Sequence, residues 1–156
     1  MDYTDIQIEE RIQKVKEIVG FEEDDDDFDL ILEFLMEKSK LIMINIGDDF
    51  FELVKEINLL NDEIDKKESI IQLDNEYIFK NHTDLIAFSI KTNDEFPLAE
   101  YFDDFKVIIE KNRKKNNEIK EVIEKIENDI EKIQFKVLFY HTDEQLKQLK
   151  KFKNVN

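Results

Sequence analysis

At 156 residues the chain can bury a real core, and it fits one domain or a domain with a helical extension. Its 39 acidic and 23 basic residues leave a net charge of −16, with two glycines, one proline and no cysteine. So few turn-forming residues argue against sandwiches, barrels and Rossmann-type folds, and the missing cysteine excludes disulfides, thiolate zinc sites and cysteine nucleophiles. An all-α fold is expected.

The charge bears on partners. A strongly acidic surface repels nucleic acid and anionic membranes, so direct binding to either is not expected, while proteins with basic surfaces are favoured. The simplest reading of the 40% charged residues is that they keep a helical protein soluble. Charges run through Met1 to Gly20, so no signal peptide is visible, and the longest apolar run, Leu41 to Ile46, is far short of the ~20 residues of a membrane span. A cytoplasmic location is expected. Heavy use of Ile, Lys, Asn, Asp and Phe suggests an AT-rich genome, as many phages and viruses have.

In chain order, Thr4 and Gln7 form a capping box that opens a first helix over about residues 4 to 19. Ile8, Ile12, Val15 and Val19 make its apolar stripe. Gly20 stands where a helix end needs positive φ, with Phe21 as a closing apolar contact. Phe28, Ile31, Phe34, Leu35, Leu41 and Ile42 mark a second helix ending near Gly47, expected to be the most buried element. Asp48 and Asp49 can cap a third, along which Phe50, Leu53, Ile57, Leu60, Ile64, Lys67 and Ile71 alternate steps of 3 and 4. That is a heptad seam interrupted only by Lys67.

From 74 to 97 the pattern breaks, and the short apolar runs there fit a short helix slightly better than a β-hairpin. Pro97 suits the first turn of the next helix. This fourth long helix holds one heptad frame from Leu98 to Tyr140, with Asn112 and Asn116 at two of its inward positions. Thr142 and Gln145 form a second capping box, opening a short last helix with Leu146, Leu149 and Phe152. The expected organisation is an N-terminal helical pair, residues 1–47, packed on a body of residues 48–156. That body is a long antiparallel helical hairpin with a small insertion at 74–97 and the short C-terminal helix, all one structural unit.

Chemistry-bearing residues are sparse. Asp24, Asp25, Asp26 and Asp27 could ligate a hard cation but lack the spacing, glycine and closing glutamate of a calcium loop, so capping of the next helix is the better reading. His82 and His141 stand alone, outside any metal-binding spacing, and no glycine-rich phosphate loop exists. No enzyme activity, cofactor, zinc or calcium is therefore expected. Asn112 and Asn116 either fix the register of the long helix or mark a frayed segment. The isoleucines Ile119, Ile123, Ile126, Ile130 and Ile133, together with the acidic run Asp24, Asp25, Asp26 and Asp27, are the residues most suited to an interface. Pairing with the third helix is favoured over a homo-oligomer, because two complementary seams lie in one chain.

Val15 to Phe21, followed by Asp24 to Asp27 and the apolar helix to Gly47, resembles the opening of phage head–tail connector proteins over about a fifth of the chain. The resemblance implies a structural role in a virion, and the long C-terminal heptads depart from that family's layout. Two heptad helices around a short apolar insertion also resemble prefoldin-type chaperone subunits, without a specific motif. The function expected first is a non-enzymatic interaction or assembly protein, meeting another protein through a basic surface or a complementary helical seam. An acidic inhibitor of a nucleic-acid-binding protein comes second, and a connector third.

Overall fold

Thr4 starts the first helix as its spacing predicts. Its side chain accepts from the Gln7 backbone at 3.2 Å while the Gln7 side chain accepts from the Thr4 backbone at 2.9 Å. In the computed structural model this helix, α1, spans Asp5–Val19. The structure describes residues 2–22, 28–92 and 98–153, and their side chains except at 43–45, 79, 81–92 and 98–104. Gly20 takes φ +90°, and its N–H and that of Phe21 both reach the Lys16 carbonyl, at 2.8 and 2.9 Å. Phe21 closes edge-on against Phe34 at 5.2 Å.

The second helix, α2, covers Phe28–Lys38 and buries Ile31, Leu32, Phe34 and Leu35. It does not continue to Gly47. A 3₁₀ segment follows over Ser39–Asn45 and kinks at Ile42. At this boundary the Ser39 hydroxyl donates to the Leu35 carbonyl one turn back.

Two long helices come next, α3 over Asp48–Thr92 and α4 over Leu98–Tyr140. No separate helix or hairpin begins at 74, because α3 carries on to Thr92. Between 74 and 92 there is no glycine or proline to stop a helix already formed, and each further residue adds a hydrogen bond. Pro97 lies outside the described residues. The last helix, α5 (Asp143–Lys150), opens on Thr142 and Gln145 as a second capping box. Among the described residues there is no strand, and no helix is long and apolar enough to cross a membrane.

The fold divides into two units, Met1–Asn61 with Asn128–Asn156, and Asp62–Glu127. The first has a dense core. Val15, Val19, Leu35, Phe50, Val137, Leu138, Leu146 and Leu149 are all fully buried there, and α1 packs on α5. Aromatic contacts join its helices: Tyr3 stacks on Phe139 at 4.0 Å, and Phe50 meets Tyr140 at 5.1 Å. In the second unit α3 and α4 run antiparallel. Asn75 meets Asn112 and Asn116, whereas Glu68 and Ile71 share a groove with Ile123 and Glu127.

Candidate interaction surfaces and buried polar sites

In the first unit the C-terminal end of α4 is held by side chains from three other elements. Arg11 of α1 donates to the carbonyls of Leu138 at 2.9 Å and His141 at 2.7 Å, so a guanidinium occupies the helix end where cations are favoured. His141 is 3% exposed, with its Nε2 2.8 Å from the Ser39 Oγ and its ring against Phe50 at 4.8 Å. Burial first, and the Arg11 charge second, push its pKa down to about 4. Burial likewise lowers that of Arg11.

A serine beside a histidine suggests a nucleophile and its base, but the hydrogen bonds run the other way. The Ser39 hydroxyl is already committed to the Leu35 carbonyl, so its oxygen accepts from His141 Nε2–H. His141 Nδ1 then carries the lone pair, buried and without a hydrogen-bond partner. A base must accept the hydroxyl hydrogen of its nucleophile, and with that hydrogen on the Leu35 carbonyl the imidazole can only donate its N–H to the serine oxygen. With Ser39 fully buried as well, the pair joins the 3₁₀ segment to the α4–α5 junction. Nothing in the sequence signals a contact across such a separation; His141 reads there only as a helix-end residue.

The second unit holds a different polar cluster. Asn75 Oδ1 accepts from Asn112 Nδ2 at 2.8 Å and Asn116 Nδ2 at 2.9 Å, and beside them Lys115 pairs with Asp74 at 2.9 Å. Asn112 and Asn116 are one helical turn apart, so both amides face the same acceptor. The segment is helical and bonded, not frayed. Asn116 is 8% exposed, and its own Oδ1 has no partner. Sequence spacing finds Asn112 and Asn116 but misses Asn75, which lies one position past the heptad frame of α3.

The isoleucine seam is covered within the single chain. Ile123 and Ile126 in the second unit and Ile130 and Ile133 in the first are all buried, and Ile119 is half-buried. Asp24 to Asp27 lie outside the described residues, as does the side chain of His82. Among the described residues no group of three or more His, Cys, Asp or Glu side chains is arranged to hold a metal ion.

No family model matches this chain, and no curated protein or solved structure is similar to it.

Both units leave large apolar side chains in contact with water, among them Ile6, Leu30, Leu41 and Leu59 in the first. On α3, Ile70, Leu73 and Tyr77 are exposed, Tyr77 by 69%. Val107, Ile108 and Val122 of α4 are exposed as well. The groove of about 570 Å³ between the same helices is different in character, with Glu68, Glu124 and Glu127 around Lys120 above Ile71 and Ile123.

Proposed function

We propose that the protein is a non-enzymatic interaction or assembly protein, and that it acts through helix surfaces of its second unit. The observation that carries this reading is the set of large apolar side chains exposed on α3 and α4 there, Ile70, Leu73, Tyr77, Val107, Ile108 and Val122. Single exposed apolar residues are ordinary, but a set of them concentrated on paired helices marks a surface that another protein covers. The Ser39–His141 pair supports the same reading, since it is buried and its hydrogen bonds oppose nucleophile activation. The partner is another protein, in the cytoplasm, presenting a complementary helical seam.

A second reading, an acidic inhibitor that occupies the basic groove of a nucleic-acid-binding protein, draws on the −16 charge and on Glu68, Glu124 and Glu127 lining one groove. Ionic strength separates the two. Burial of apolar surface is not screened, whereas charge-driven association weakens steeply with salt. Affinity for the co-purified partner, measured from low to high salt, should stay nearly constant. A steep loss, with DNA or RNA competing for the same surface, would replace the assembly reading with the inhibitor.

A further inference from the structure

The exposed face of α3 has a period of its own. Glu63, Lys66, Ile70, Leu73, Tyr77 and Lys80 follow one another in alternating steps of 3 and 4, a second heptad stripe beside the half-buried seam of Ile64, Lys67 and Ile71, with Glu63 3.8 Å from Lys67. Its three central side chains, Ile70, Leu73 and Tyr77, are 44%, 64% and 69% exposed. The flanking Glu63, Lys66 and Lys80 are exposed too.

Resting on the interaction reading above, we propose that this stripe pairs with the same stripe of a second copy of the chain, running antiparallel. The order of charges selects both the occupant and the direction. With the two-fold axis between Ile70 and Leu73, Ile70 packs on the partner's Leu73. Tyr77 then covers the partner's Lys66, a cation over an aromatic face, and Glu63 meets the partner's Lys80. All three contacts are complementary, and symmetry makes each occur twice. A parallel pairing would instead set Glu63 on Glu63, Lys66 on Lys66 and Lys80 on Lys80, each a like-charge contact. The stripe itself holds one acidic and two basic residues. Its size belongs to the weak, concentration-dependent class of association.

Sedimentation of the purified full-length protein over a range of concentrations, at physiological ionic strength, tests the pairing. The wild type should shift from monomer to dimer, and Leu73→Asp should stay monomeric with unchanged helical circular dichroism. Glu63→Lys and Lys80→Glu should each weaken the dimer about ten-fold, because both symmetric pairs become repulsive. The double variant Glu63→Lys/Lys80→Glu should recover the wild-type dissociation constant. A wild type that stays monomeric throughout, or a double variant weaker than either single one, would overturn the pairing. A monomer that still captures another protein would sink the dimer alone and leave the interaction reading standing.

Discussion

Two residues of the first unit hold positions that few others could. Gly20 sits at φ +90°, and a Cβ built there would meet only Lys150 Cε at an ordinary 3.7 Å. The cost of Gly20→Ala is therefore one of backbone conformation, about 1–2 kcal/mol, readable as a shift of the urea midpoint without a change in slope. His141 is neutral when folded, with a pKa of about 4 against the usual 6.5. Between those values the unfolded chain binds a proton that the folded chain refuses, so this residue's contribution to stability falls as the pH drops through that window. By pH 4.5 the loss should reach about 2–3 kcal/mol. His141→Gln keeps a donor for Ser39 and does not titrate. The extra acid sensitivity of the wild type over this variant, in urea melts at pH 7 and pH 4.5, measures the effect. Equal sensitivity would mean that the buried imidazole charges freely.

At the scale of the element, most of the architecture is written in periodicity. The capping boxes at Thr4 and Thr142 and the C-terminal glycine of α1 are local patterns, and the structure has each of them. Of the α4 seam Ile123, Ile126, Ile130, Ile133 and Val137 are buried, whereas the α3 seam buries Phe50 and Ile57 and leaves Leu53, Leu60, Ile64 and Ile71 half-buried. Two boundaries do not follow from the apolar spacing. α2 stops at Lys38, where the Ser39 hydroxyl bonds back to Leu35, although the apolar spacing runs from Phe28 to Ile42. The loss of pattern after Leu73 is not the end of a helix, since α3 runs on to Thr92. The pairing of Ser39 with His141, and of Asn75 with Asn116, depends on contacts between distant segments that one sequence does not encode in its spacing.

The seams give two tests at this scale. Asn75→Ala removes the shared acceptor of Asn112 and Asn116 and should cost about 1–3 kcal/mol, since it strands a buried amide. Replacing Asn75, Asn112 and Asn116 together with leucine should recover that stability, because no polar group is then left unpaired; denaturant melts of the two variants decide it. Ile126 is 7% exposed, so Ile126→Asp forfeits about 1.5–3 kcal/mol of apolar burial and adds the penalty of an unpaired charge. Lys67→Ile, at the half-buried polar break of the α3 seam, should be neutral or stabilising. An unchanged melting temperature in Ile126→Asp would mean that the seam carries no packing energy.

For the whole molecule, the same helices carry two kinds of apolar surface. The isoleucine faces are covered within the chain, whereas Ile70, Leu73 and Tyr77 of α3 and Ile108 and Val122 of α4 stay open to water. The central claim is that these open faces bind protein. The most direct measurement is quantitative recovery of proteins bound to the tagged full-length chain in its native cells. Wild type should be compared at low and high salt with a folded variant carrying Leu73→Asp and Ile108→Asp together. A partner, either another protein or a second copy of the chain, should be recovered in near-stoichiometric amount, retained at high salt and lost in the variant. A partner released by salt and held equally by the variant, or a wild-type chain recovered alone and monomeric, would contradict the claim.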